Sequence, residues 1–158
     1  EDNKRKLGFL IGDLEARLGG WARGQFTLMF LVGLATYIGL LIVGIPFALP
    51  LAILAGLLEI IPYLGPVVAA IPSIIIGFGI SPVLGVATAG VAILIQQLEN
   101  YVLVPKVMEK SVGVSPIITL VALAIGARFL GIVGMIISIP TVITLQVVFK
   151  HFVFEEAE

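Results

Sequence analysis

Apolar residues run through this chain in long blocks, and polar residues fall in short interruptions between them. Over residues 1–24, Leu7, Ile11, Leu14 and Leu18, with Trp21 or Ala22, repeat at helical spacing. Asp13, Glu15 and Arg17 fall mostly elsewhere around the wheel. The pattern predicts an amphipathic helix. Its basic residues and terminal tryptophan suit a membrane interface, with packing on a neighbouring soluble segment as the alternative. Gly19-Gly20 then permits a change of direction. Phe26 to Ile45 carries no charge over 20 residues, the length of one crossing of a hydrocarbon core about 30 Å thick. Gly44-Ile45-Pro46 ends it.

Residues 47–61 and 67–80 are two apolar arms around Pro62-Tyr63-Leu64-Gly65-Pro66, with Pro50 and Pro72 inside them. At about 1.5 Å per residue each is short for a crossing. They are either short tilted spans or a re-entrant hairpin with its tip at Pro62–Pro66. Residues 83–104 form a second full span, followed by a polar loop from Lys106 to Ser115. Residues 116–129 and 131–149 form a further apolar pair, with Arg128 near its turn and Ser138-Ile139-Pro140 interrupting its second arm.

Composition turns this pattern into a membrane assignment. The chain is 59% hydrophobic and 12% charged, with a mean hydropathy of +1.19, against about 45–50% and about 25% for soluble domains. Backbone in lipid must satisfy its own hydrogen bonds, so the expected fold is an all-α helical bundle. It has two full spans and two short-helix or re-entrant hairpins, preceded by the amphipathic helix. The expected organisation is a juxtamembrane helix over 1–24, a transmembrane domain over 25–150 and a polar acidic tail over 151–158. The first residue is Glu1 and not Met, and a segment of a longer protein is expected. The net charge of −1 points to no nucleic-acid partner, and the absence of cysteine removes disulfides and thiolate metal sites.

Five of the nine Lys and Arg residues lie within 1–24. The bias places that segment, Lys106, Lys110 and the C-terminus on the cytoplasmic side. Parity then gives two units, 26–80 and 83–149, entering the membrane from opposite faces. Inverted units with broken helices are a common architecture of secondary transporters. Tyr63-Leu64-Gly65 and Phe129-Leu130-Gly131 are a short internal match.

Because the interior is nearly free of charge, each charge in it is a candidate for function. Glu59 stands beside the break at Pro62, Gly65 and Pro66. It either belongs to a transport pathway, or caps the broken backbone, or pairs with Arg128. Gln96, Glu99 and Asn100 share one helix face at i, i+3 and i+4. That face could coordinate a cation or bond a polyhydroxyl ligand. Alternatively Glu99, near Pro105, lies at the wet membrane surface and pairs with Lys106 or Lys110. Arg128 is either exposed at the outer surface, or buried and obliged to pair with a carboxylate. His151 is the sole histidine, and both aspartates, Asp2 and Asp13, lie near the N-terminus. Catalytic triads and intramembrane aspartyl chemistry are therefore not expected, and neither an enzyme, a metal centre nor a cofactor is predicted.

Several motifs occur in order from Arg23 onward. They are Arg23-Gly24-Gln25, Gly44-Ile45-Pro46-Phe47-Ala48, Glu59-Ile60-Ile61-Pro62-Tyr63-Leu64-Gly65-Pro66, Gln96-Gln97-Leu98-Glu99-Asn100, Pro105-Lys106-Val107-Met108, Ser111-Val112-Gly113-Val114-Ser115-Pro116, and Gly131-Ile132-Val133-Gly134 through Pro140. Over about 125 residues the chain resembles the C-terminal half of the AI-2E transporter family, named for autoinducer-2 export. The resemblance implies a multi-pass inner-membrane protein of a bacterium or archaeon. It implies export of a small polar solute such as the quorum-sensing signal autoinducer-2, or sodium/proton antiport. Full-length members carry further N-terminal spans. The expected partners are the lipid bilayer, the solute, Na+ or H+, and further copies of the chain in a homo-oligomer. The other classes kept open are a membrane-embedded oligomerisation module with no transport of its own and a passive pore.

Overall fold

The computed structural model describes residues 2–108 and 115–154, and among them every regular element is helical. Glu109, Lys110 and residues 111–114 of the polar loop, and residues 155–158 of the acidic tail, lie outside the described residues. The expected all-α membrane fold holds. Three helical stretches, Gly8–Val43, Pro82–Met108 and Ile117–Lys150, have the length and apolarity of membrane spans, and Ala48–Leu58 and Leu64–Ile80 are shorter apolar helices. The chain divides into two compact units, Gly24–Val107 and Glu1–Arg23 with Met108–Glu158.

Helix α1 runs over Asp2–Val43. The predicted amphipathic segment and first span are one continuous helix. Gly19-Gly20 permits a bend but does not oblige one, and both residues stay helical. In the Gly24–Val107 unit, α1 ends at Gly44, whose φ is 81°. Its N–H donates to the Leu40 and Leu41 carbonyls at 3.0 and 3.1 Å, and Ile45 N–H donates to Leu40 at 3.0 Å. Left-handed glycine followed by proline is a frequent way to close a helix. Helix α2 (Ala48–Leu58) and helix α3 (Leu64–Ile80) follow. At about 1.5 Å per residue they are about 16 and 26 Å long, and neither reaches across a core of about 30 Å. Helix α4 (Pro82–Leu98) starts with Ser81, whose hydroxyl accepts from Leu84 N–H at 3.2 Å, and Pro82 occupies the first turn where no donor is needed. A π-helical turn, Glu99–Leu103, and helix α5 (Val104–Met108) complete the unit.

Lipid offers no hydrophobic drive for helix association, so close packing must supply it. A Cβ added at Gly33 of α1 would stand 3.2 Å from the Ala52 carbonyl oxygen, and one at Gly56 of α2 only 2.7 Å from that of Met29. Leu28, Val32, Leu40, Leu51, Ala55 and Ile95 are buried, whereas Phe26, Phe30, Ile42 and Val83 are exposed on the outside.

In the other unit, helix α6 (Pro116–Phe154) is broken at Gly131, with φ 59° and ψ −136°. Length and composition alone make this stretch one span, but the backbone makes it two arms. A Cβ on either Gly126 or Gly134 would collide with the other's carbonyl, an approach that a continuous helix cannot bring about. The predicted second hairpin is therefore present, with its turn at Gly131. Arg128 is exposed on the first arm, three residues before that turn.

Replacing Gly126 with valine is expected to destabilise the full-length protein by about 1–3 kcal/mol through overpacking, read as a lower melting temperature in detergent. Gly90→Ala adds a Cβ that meets nothing, and its melting temperature is expected to be unchanged or higher.

Candidate functional site

The α2–α3 break is built from the residues that make a helix impossible. Glu59 closes α2, its N–H donating to the Ala55 carbonyl at 3.1 Å. Pro62 has no donor. The chain reverses through Tyr63, with φ 66° and ψ −41°, while Leu64 N–H donates to the Pro62 carbonyl at 2.8 Å. This is a γ-turn of the rare positive-φ kind, a conformation costing about 1–3 kcal/mol in a residue with a side chain. Gly65 packs on the Leu58 carbonyl so closely that any Cβ would collide with it. Pro66 occupies the first turn of α3, where its missing donor has no consequence.

Glu59 is fully buried, with 0% exposure, and neither carboxylate oxygen has a hydrogen-bond partner. Its side chain therefore does not cap the broken backbone. The backbone is tied by a different residue. Gln25 of α1, itself 3% exposed, donates from Nε2 to the Glu59 backbone carbonyl at 2.6 Å. A carbonyl only accepts, so the amide nitrogen must face it and Gln25 Oε1 is left without a partner.

Glu99 is also 0% exposed. The expectation of a wet acid at the membrane surface fails, and Lys106 is exposed instead. The predicted polar face does form in part: Gln96 Nε2 donates to Glu99 Oε2 at 3.1 Å. The Tyr63 backbone amide also lies near the Glu99 carboxylate, so the strained turn and the second acid meet. Glu99 opens the π-helical turn, in which Val104 N–H reaches back to the Glu99 carbonyl. The Glu59 and Glu99 carboxylates lie within electrostatic reach of each other.

Five buried oxygens in this one unit have no hydrogen-bond donor: Gln25 Oε1, both carboxylate oxygens of Glu59, Glu99 Oε1 and Asn100 Oδ1. Buried polar atoms without partners are rare and costly. A small cavity of about 30 Å³ in the same unit has Pro66, Ser73, Thr88 and Ile95 among its lining residues, none of which carries these oxygens, and has room for a water molecule.

The structure thus brings Glu59, Pro62, Gly65, Pro66, Gln96, Glu99 and Asn100 into one unit, while Arg128 belongs to the other. Gln25 was not singled out from sequence. Its signal was an amide at the entrance of an otherwise apolar span. Among the described residues no group of three or more His, Cys, Asp or Glu could hold a metal ion.

A family model described as AI-2E family transporter matches residues 1–154. The chain is 38% identical over 145 residues to "Putative transport protein YueF" of Bacillus subtilis, covering 91% of this chain and 39% of that protein. It is 32% identical over 149 residues to "Putative transport protein YrrI" of the same organism, covering 94% and 42%. It is 33% identical over 154 residues to a "Putative transport protein" of Thermotoga maritima, covering 96% and 46%. The chain therefore spans less than half the length of these relatives.

The geometry gives the Glu59 side chain and the residue that ties its backbone carbonyl opposite effects on stability. Glu59→Gln loses no hydrogen bond and removes a buried ionisable group, so thermal unfolding of the full-length variant in salt-free buffer is expected at the same or a higher temperature. Gln25→Leu strips the Glu59 carbonyl of its side-chain donor and is expected to cost about 1–3 kcal/mol in the same measurement.

Proposed function

Because the chain belongs to the AI-2E family of transporters, we propose that it forms the ion-coupling half of a secondary transporter that exports a small polar solute such as autoinducer-2. It is a multi-pass membrane protein, and the reading places residues 1–24 and the C-terminus in the cytoplasm of a bacterium or archaeon. The observation that carries the coupling role is the pair of fully buried carboxylates, Glu59 and Glu99, which hold three carboxylate oxygens without a donor.

Ionisable groups at membrane depth are expensive and mark proton and ion pathways. An acid enclosed in this way is held by a proton or by a cation. Exchange of that ion changes the charge beside the Tyr63 turn and the π-helical turn, two irregular segments whose backbone has alternatives to relax into. Alternating access would then work around the breaks at Pro62–Pro66 and Gly126–Gly134, as in transporters built on discontinuous helices. Sodium/proton antiport is the second reading. It is favoured by the oxygen-only character of the free atoms, which suits ions better than an organic solute.

Glu59→Gln in the full-length protein, reconstituted in vesicles, is expected to lower solute flux by at least about tenfold at unchanged expression and assembly. Normal flux would remove Glu59 from the pathway. Flux of the wild type that follows a sodium or proton gradient supports coupling. Uncoupled, unsaturable flux would make the protein a pore, and no flux at all an assembly module.

A further inference from the structure

We infer that the cavity among α1, α2, α3 and α4 is a binding site for one water molecule, held at mid-membrane by the hydroxyls of Thr36, Ser73 and Thr88. The inference goes beyond the transporter reading and does not involve the two acids. None of the residues that carry the five unpartnered oxygens lines this cavity.

Hydroxyls in a helical bundle ordinarily bond a backbone group of their own helix. Every other described serine and threonine has a partner, most often a backbone group three or four residues away. Thr36 and Ser73 are the two that make no hydrogen bond through their hydroxyls among the described residues, and both line the cavity. Ser73 is 4% exposed, so bulk water does not reach it freely. The third lining hydroxyl, Thr88, is 1% exposed and donates to the Leu84 carbonyl at 2.7 Å. It has spent its one hydrogen and can only accept. Three hydroxyls from three helices thus border one space, two with a hydrogen to give and one with lone pairs alone. They do not bond one another, and a molecule that both donates and accepts satisfies all three.

Size and polarity narrow the ligand to water. The cavity measures about 30 Å³. One water needs about 10–15 Å³ of such space, and a pocket for an organic solute takes about 300–1,000 Å³. The short side chains of Ala55, Ala69 and Ala92 on its walls leave the space that larger residues would fill. Cavities that stay dry are apolar, whereas a polar one with about three partners suits a buried water. Neutral hydroxyls with no carboxylate among the lining residues do not suit a hard cation. Thr36 lies midway between Phe26 and Ile45, at a depth where lipid offers a hydroxyl no partner. The water would join α1, α3 and α4 through bonds that their side chains do not make directly.

X-ray radiolysis of the full-length protein in nanodiscs tests this, because radicals formed from a bound water oxidise the side chains beside it. Leu40 and Ile95 line the cavity at 2% and 8% exposure, and Leu123 and Ile143, each 2% exposed, do not line it. Mass spectrometry is expected to show oxidation of Leu40 and Ile95 well above that of Leu123 and Ile143. The double variant Thr36→Val/Ser73→Ala is expected to lose that excess. Melting temperature supplies a second sign. Removing an unpartnered hydroxyl from a dry cavity stabilises, whereas removing one that holds a water destabilises. Ser73→Ala and Thr36→Val are therefore each expected to melt below the wild type. Thr36→Val keeps the shape of the side chain, so it decides the matter if Ser73→Ala elutes as aggregate. Oxidation of Leu40 and Ile95 no higher than that of Leu123 and Ile143, an excess that survives in the double variant, or an unchanged or higher melting temperature in Thr36→Val would overturn the site. Solute flux enters neither measurement, so these outcomes leave the transporter reading standing, and normal flux in Glu59→Gln leaves the water site standing.

Discussion

A helix broken inside an apolar bundle leaves backbone groups that water cannot reach, and the protein itself must satisfy them. The turn between α2 and α3 is where this constraint bears hardest. Pro62 and Pro66 remove two donors, Tyr63 takes a strained conformation and Gly65 is pressed on the Leu58 carbonyl. The answer comes from α1, whose Gln25 donates to the Glu59 carbonyl at 2.6 Å, with the Glu99 carboxylate lying close to the Tyr63 backbone amide. The packing of the unit serves the same end. Gly33 and Gly56 let α1 and α2 approach within reach of each other's backbone, and without that approach the Gln25 amide would not meet its carbonyl.

The two acids differ in what holds them, although both are fully buried. Glu99 has a donor from Gln96, so one of its oxygens is fixed in place. Glu59 has none on either oxygen. A carboxylate without donors is free to change its company, whereas one held at one oxygen keeps its position while the other oxygen stays available. The site therefore combines a fixed acid with a responsive one, beside a turn whose conformation is itself unfavourable for a side-chain-bearing residue.

Most of the helical plan was legible because lipid imposes it: long uncharged blocks are spans, and proline with glycine inside them marks breaks. The hairpins around Pro62–Pro66 and near Arg128 were readable on that ground. Three features were not. The continuity of α1 through Gly19-Gly20 was hidden because glycine permits a bend without requiring it. The burial of Glu99 was hidden because its depth was counted from Pro105, while its surroundings come from Tyr63, 36 residues away in sequence. Gln25 was hidden because an uncharged amide is a weak sequence signal, and its role depends on a backbone carbonyl that no composition reveals.

The π-helical turn at Glu99–Leu103 also sets the phase of the span that contains it. An α-helix advances about 100° per residue, and a π-turn fits one additional residue into the coil. The apolar stripe of α4 and the residues from Val104 onward thus belong to two different helical phases. A single wheel drawn over residues 83–104 averages them and blurs both faces. The additional residue behaves as an insertion whose removal would leave hydropathy nearly untouched. It would, however, rotate everything beyond the turn by about a quarter of a circle relative to Glu99. In this span the count of residues, more than their character, decides what the buried acid sees.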